Sequence, residues 1–454
     1  MKSEAIDFEN EKVSVLFRKL LIPTLLGTIS LSAVTAIDGI FIGHGVGAIG
    51  VAAVNIVVPV FQIMAGLGLM VGVGCSVVAS IHIARQNMKT ARQNVSHALG
   101  LTSALVLLLC LAILLFPELT SRLLGASDTL MPNVLDYLTW IVPGFVFQMW
   151  SMIGLFIIRL DGSPRYAMWC NIVPAFLNAF LDWLFIFPLD MGLKGAAIAT
   201  TLSIIVGGVM AMSYLVFFAE NLRPTAIGLT SEWLRSAVGN LRHQCKIGSS
   251  TLLGELTLAV LIFIGNIVFM KYLGDAGVGA FGIACYYMPF FFMVGNAIAQ
   301  SAQPIISYNY GAGRWAEIRE ARRLLFATSI FIGAIVAVLF VAIPDSLVAL
   351  FVDVDSEAGR IAVGGFPYFA SGIIFFILNV ATIGYYQSVE QIKKATMFVF
   401  LRGFILLIPA FLLLPQLLGE RGIWLSMPAA ELGTTMLIVV SLGRAVIARR
   451  KGAE

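Results

Sequence analysis

Charge is scarce in this chain: only 12% of its 454 residues are Asp, Glu, Lys or Arg. A soluble domain carries roughly a quarter charged residues, so this one cannot cover a water-facing surface. The net charge of +4 is small and dispersed, which excludes a nucleic-acid partner. Cysteine is also sparse. Cys75, Cys110, Cys170, Cys245 and Cys285 are odd in number and lie far apart in apolar stretches, with no CxxC or Cys/His cluster. That pattern excludes a disulfide framework or a zinc site and leaves buried packing residues. Catalytic signatures are missing too: there is no GxxxxGK[ST], no HExxH and no GxSxG. Nothing suggests an enzyme or a bound cofactor, so any energy must come from an ion gradient or from a substrate's own gradient. The polar, acidic start (Ser3, Glu4, Asp7, Glu9, Glu11) is not a cleavable signal peptide, so the first hydrophobic segment stays as a helix.

What is abundant is apolar sequence, 59% of residues with mean hydropathy +0.93. A membrane-spanning helix needs about 20 predominantly apolar residues. Breaking the chain at its charged loops predicts twelve: 16–40, 50–82, 96–116, 132–158, 166–188, 195–219, 246–270, 278–307, 324–343, 361–387, 395–415 and 422–443. With the amino terminus inside, the inner loops and tails hold 23 Lys and Arg, among them Lys2, Arg444, Arg449, Arg450 and Lys451. The outer loops hold five, and Arg402 lies within a helix. This bias predicts an inner-membrane protein with both termini cytoplasmic.

The longest cytoplasmic loop divides the chain into an N-lobe (1–225), an inter-lobe loop (226–245) and a C-lobe (246–454). GVGAIG at 45–50 recurs as GVGAFG at 277–282, and FPELTSRLLGASD at 116–128 is echoed by IPDSLVALFVDVD at 343–355. Six helices per half, each half starting inside, predict parallel repeats of the kind that enclose a midplane site.

Few acids lie away from the loops: Asp38, Asp182, Glu255 and Glu431. A charge near the bilayer centre costs about 2.5–3.5 kcal/mol on insertion scales, so such residues usually serve a purpose. In the fifth helix Pro174, Asn178 and Asp182 are spaced by four and share one face. Two carboxylates facing one desolvated pocket would make a proton or Na⁺ site. The bland alternative for Asp38 is an interfacial position near the outer end of helix one. Glu255 lies about 13 Å along its helix from Lys246, at 1.5 Å per residue, and serves either an ion or substrate, or a neighbouring helix. Arg402 and Glu431 suit a structural pair or snorkelling. Tyr286, Met288, Phe290, Phe291 and Met293 form a Met- and aromatic-rich run suited to apolar or cationic ligands; in helices this apolar such residues also face lipid or neighbours.

These stretches together, AIDGIFIGHGVG at 36–47, FLNAFLDWLFIF at 176–187, GLKGAAIAT at 192–200 and AQPIISYNYGAG at 302–313, resemble the multidrug and toxic compound extrusion (MATE) transporters over essentially the whole chain. The likeness is to the DinF-like, MepA-like bacterial branch. It implies an all-α membrane fold of two six-helix lobes in a V, exporting cationic, lipophilic small molecules in exchange for H⁺ or Na⁺. It further implies an N-lobe ion site at Asp38, Asn178, Asp182 and Thr200, with a backbone carbonyl from Ala196, Tyr137 nearby and Pro23 as a hinge. Oxygens of this kind suit Na⁺ as a hard cation, and the same carboxylates suit a proton. A NorM-like C-lobe site would use Glu255 and an acid on helix ten, where this chain has Asn379 instead; Glu255 is then left to assist substrate or proton binding. The alternative within the wider superfamily is a lipid-linked oligosaccharide flippase, which usually has more helices and a strongly basic cavity. Nothing demands more than a monomer in the lipid bilayer.

Overall fold

A computed structural model describes residues 7–451 apart from Gly47, Ser127, Ala226, Ile227 and Leu229. Lys2, Gly47 of the first GVGAIG and Ser127 of the 116–128 stretch therefore lie outside the described residues. So do the side chains of Arg444, Arg449, Arg450 and Lys451.

Hydrocarbon offers backbone amides no water, so a chain this apolar must satisfy them within each segment, and the helix does so. Among the described residues there is no strand. The order is α1 (Val13–Gly45), α2 (Ala48–Ala84), α3 (Met88–Leu115), a short α4 (Pro117–Leu123), α5 (Met131–Ile141) and α6 (Phe145–Leu160). Next come α7 (Pro164–Ile186), α8 (Gly192–Ser213), α9 (Ser231–Gly311), α10 (Trp315–Ala342) and a short α11 (Pro344–Ala349). The chain ends with α12 (Glu357–Ala370), α13 (Ile373–Ser388), α14 (Ile392–Phe400), α15 (Leu407–Leu418) and α16 (Glu420–Lys451). Helix α9 holds two spans, divided at Gly274, where the backbone takes φ 64°. Eleven helices among the described residues are long and apolar enough to cross a membrane, or twelve when α12 and α13, bent by 52°, count as one. The chain is a multi-pass membrane protein, as its hydropathy predicts. Leu107, Leu108, Leu111 and Leu115 of α3 and Phe331 and Val338 of α10 stand exposed, a surface suited to acyl chains and not to water.

Two spans are interrupted in matching ways. Pro143 and Gly144 tighten the junction of α5 and α6 into one 3₁₀ turn, Val142–Gly144. The α12–α13 bend falls at Ser371–Gly372. A wider π turn, Leu401–Ile405, joins α14 to α15.

The segment 226–245, read from sequence as a loop, is helical from Ser231 onward. Thr230 caps it, its hydroxyl accepting from the Trp233 amide at 3.2 Å, and Glu232 sits in the positive first turn. This stretch lies on α3. Gln244 donates to the Asn94 carbonyl and side-chain oxygen, both at 3.2 Å, and the His97 ring meets Trp233 edge-on at 4.9 Å. The strand of chain before it is fastened by Asp161, whose carboxylate accepts from the amides of Glu220, Asn221 and Leu222 at 3.1, 2.9 and 2.9 Å.

The chain forms two compact units. One runs to Gly248 and includes Pro304–Ile318; the other comprises Ser249–Gln303 and Arg319 onward. In the first, Tyr137, Leu138, Phe145 and Met149 fill the space between α2, α5, α6 and α8. In the second, Phe269, Phe281, Phe366, Phe369, Phe411 and Trp424 are buried together as an aromatic core.

Candidate ion-binding site

Helix α7 carries the acid face. Asn178, Asp182 and Ile186 are buried at successive turns, while Phe176, Phe180 and Trp183 on the opposite face are exposed. Asp182 has no accessible surface at all. Helix α1 lies alongside, close enough that a Cβ on Gly27 would come within 3.1 Å of the Asn171 amide nitrogen. Half-buried Asp38 thereby faces Asp182, the two carboxyls within hydrogen-bonding reach of each other.

Helices α8 and α5 complete the cluster. The Asn178 amide donates to the Thr200 hydroxyl at 3.4 Å. The buried Tyr137 side chain of α5 reaches the same hydroxyl. Fully buried Ala196 lies one turn before Thr200 on that face of α8. Asp38, Tyr137, Asn178, Asp182 and Thr200 therefore come from four helices to one place, with Ala196 beside them. Among the described residues no protein donor of good geometry bonds either oxygen of Asp182 or the buried oxygen of Asp38. Two carboxylates side by side in a buried site repel each other unless a proton or cation lies between them. The donors are all hard oxygens, suited to H⁺ or a small hard cation. No three His, Cys, Asp or Glu side chains cluster among the described residues.

Pro23 is buried inside α1 and leaves the carbonyl four residues earlier without its helical donor. Its neighbour Thr24 has a buried hydroxyl with no partner among the described residues. Thr201, which residue-level reading passed over, donates to the Trp140 carbonyl at 2.7 Å. It supports the place where α5 gives way to the 3₁₀ turn; the signal for this was Pro143-Gly144 inside an apolar run. Gln148 of α6 was also missed, and its side-chain oxygen is buried without a partner among the described residues.

The second unit arranges its polar residues otherwise. Glu255 is half-buried on α9. Asn379 of α13 is not turned to it: its amide donates to Glu431 Oε2 at 2.7 Å and to the Glu431 carbonyl at 2.9 Å. Arg402 and Glu431, a candidate pair from sequence, do pair, with Nη2 2.7 Å and Nε 3.0 Å from Oε1. In the aromatic run Tyr286 and Phe290 are exposed and Met293 is half-buried, along one helical face. Met288 and Phe291 are buried behind them.

Comparison with known proteins bears on the fold and the family. The MatE family model matches residues 23–184 and again 251–412. The multidrug export protein MepA of Staphylococcus aureus strain MSSA476 is 25% identical over 435 residues, covering 95% of this chain and 94% of that protein. Its counterpart in Staphylococcus saprophyticus is 23% identical over 438 residues, with the same coverage of 95% and 94%. Among solved structures, an outward-facing multidrug resistance MATE family transporter of the MOP superfamily superposes with TM-score 0.89 at 20% identity, over 99% of this chain and 100% of that one. A MOP superfamily transporter from Pyrococcus furiosus gives TM-score 0.88 at 19% identity, over 99% and 100%. With one family model matching 23–184 and again 251–412, and the fold shared end to end, this chain belongs to the MatE (MATE) transporter family.

Proposed function

We propose that this protein is a multidrug efflux antiporter of the cell inner membrane, exporting cationic, lipophilic small molecules in exchange for H⁺ or Na⁺. The observation that carries the reading is the Asp38–Asp182 pair: two adjacent carboxyls, one of them without accessible surface, whose buried oxygens lack protein donors of good geometry among the described residues. A site of that kind is stable only with a proton or cation aboard, so its occupancy is coupled to the packing of α1, α5, α7 and α8 around it. Asn178, Thr200 and the Ala196 carbonyl supply further oxygens, and Tyr137 closes the cluster. Likeness to the MepA proteins supports drug export as the activity that this exchange drives.

The proposed cycle has two halves. From the outer side the acid pair takes up its ion, α1 repacks about Pro23, and drug leaves. From the inner side the ion departs, and the ionised carboxylates favour a cationic drug. Tyr286, Phe290 and Met293 are the members of the aromatic run open to such a ligand, and ring faces attract organic cations. Glu255, half-buried on the second unit, assists substrate or proton binding. Both termini are cytoplasmic, the protein acts as a monomer, and the lobes are 1–225 and 246–454.

The test is ethidium efflux from cells stripped of other pumps, comparing wild type with Asp38→Asn at matched expression. Wild type lowers dye accumulation and Asp38→Asn does not. Full efflux by Asp38→Asn would overturn the ion-site assignment. If wild type moves no cationic dye at all, drug export falls and lipid-linked sugar flipping becomes the reading to measure.

A further inference from the structure

The two matches of the family model begin 228 residues apart, at 23 and 251. The helices keep that spacing: α7 starts at Pro164 and α14 at Ile392, while α8 starts at Gly192 and α16 at Glu420. The broken spans do likewise, at Gly144 and Gly372. Each residue of the acid cluster therefore has a definable counterpart in the second unit. Asp182 becomes Ala410, Asn178 becomes Leu406, Thr200 becomes Pro428 and Tyr137 becomes Gly365. None of these four brings a side-chain oxygen; at the same spacing Asp38 falls on Asn266, a neutral carboxamide. The space is also taken: Trp424, counterpart of Ala196, is 4% exposed and lies so close to Gly365 that a Cβ there would collide with its ring.

What the second unit has instead is a charge pair set deeper along the same helices. Arg402 is the counterpart of Pro174, and the π turn Leu401–Ile405 stands where α7 carries its internal proline. The turn holds Arg402 with 3% exposure, its guanidinium 4.2 Å from the Phe376 ring centre and bonded twice to Glu431 Oε1. Asn379 bonds the other oxygen at 2.7 Å and itself accepts from the Thr435 hydroxyl at 2.9 Å. Both oxygens of Glu431 thus have protein donors, where among the described residues none of good geometry bonds those of Asp182. Other ionisable side chains on the elements packed against α16 are Glu357, Arg360 and Tyr368 on α12, and Tyr385 and Tyr386 on α13. Among the described residues, Arg402 is the one that forms an ion pair with Glu431.

We propose that Arg402 is a tethered counter-ion: it occupies the role in the second unit that a mobile ion fills in the first, so each transport cycle exchanges a single ion. This deepens the antiport reading and rests on it. In the first unit the cation is exchanged with solvent, and the packing of that unit follows its arrival and departure. In the second the cation is part of the chain, so Glu431 keeps its counter-charge in every state.

Ethidium-driven ion movement in proteoliposomes tests this, with protons followed by pyranine and Na⁺ by radioactive sodium over a pH series. Wild type moves one ion per dye. Arg402→Met leaves Glu431 buried and unneutralised, so it must bind a proton or cation of its own. Its ion-to-dye ratio therefore rises toward twofold and its pH profile gains a second inflection. Arg402→Met/Glu431→Gln removes the acid while keeping the Asn379 bond, and restores the wild-type ratio and profile. The double variant also keeps the test open if the single one does not fold. A wild-type ratio and profile in transport-competent Arg402→Met would overturn the proposal. So would dye movement without ions in the double variant, since the pair itself would then carry the exchanged ion. Asp38→Asn is the control: coupled exchange surviving in it refutes the first-unit ion site, whereas loss of coupling there with an unaltered Arg402→Met refutes the tethered counter-ion alone.

Discussion

Asp182→Asn keeps side-chain size and the contact with Asn178 while removing one of two neighbouring carboxyl charges. Asp182 has no accessible surface and Asp38 is half-buried, so the field between them is poorly screened by water. A unit charge about 4 Å from a bound cation contributes about 4 kcal/mol at an effective dielectric of about 20. That is roughly a thousandfold in affinity, so the ion concentration giving half-maximal ethidium exchange should rise by about two to three orders of magnitude. The assay is exchange rate against ion concentration in proteoliposomes, with thermal unfolding in detergent confirming that the variant folds. The same arithmetic predicts a smaller loss for Thr200→Val, which removes a neutral oxygen worth about 1 kcal/mol. If Asp182→Asn bound its ion within about threefold of wild type, the two carboxyls would not be holding it, and the reasoning would fail.

Other consequences follow from particular contacts. Thr201→Val strips the Trp140 carbonyl of its 2.7 Å bond, so unfolding in detergent should come about 1–3 kcal/mol sooner, with Thr201→Ser close to wild type. Asp161→Ala removes the acceptor for three backbone amides at 220–222; protease should then cut near 219–230 several times faster at unchanged detergent and temperature. Trp424→Ala opens the aromatic core of the second unit and should cost about 3–5 kcal/mol, read from thermal unfolding. Tyr286→Ala and Phe290→Ala should weaken ethidium binding by about 0.5–2 kcal/mol each, measured by fluorescence titration. Met288→Ala, behind that face, should lower stability instead.

Much of the fold was legible because lipid imposes long apolar runs, a linear property of the chain. Pro143-Gly144 was a visible sign of the broken span. The π turns at Tyr214–Phe218 and Leu401–Ile405 carried no comparable sign, since one extra residue in a helix leaves its composition unchanged. Ser231–Cys245 was misread as loop because its apolar face is narrow and its polar face wide; its helicity depends on docking against α3. Asp182 and Asn178 were legible as one face, being one turn apart on one helix. Their meeting with Asp38 depends on α1 lying along α7, which residue spacing does not encode and family likeness suggested. The aromatic run from Tyr286 to Met293 was visible as a set, but which members are buried depends on the helices that pack against it. Arg402 and Glu431 were readable as partners by charge alone, whereas Asn379's part in the same network needed a third helix to be placed.

Ion movement driven by ethidium is the most direct test of exchange through the acid pair. Proteoliposomes containing wild type and Asp38→Asn/Asp182→Asn would be given a dye gradient with no ion gradient, and internal pH and Na⁺ recorded. Exchange predicts that wild type moves H⁺ or Na⁺ against the direction of dye flow and the double variant moves neither. Dye flow through wild type with no accompanying ion, or unaltered ion movement in the double variant, would contradict it.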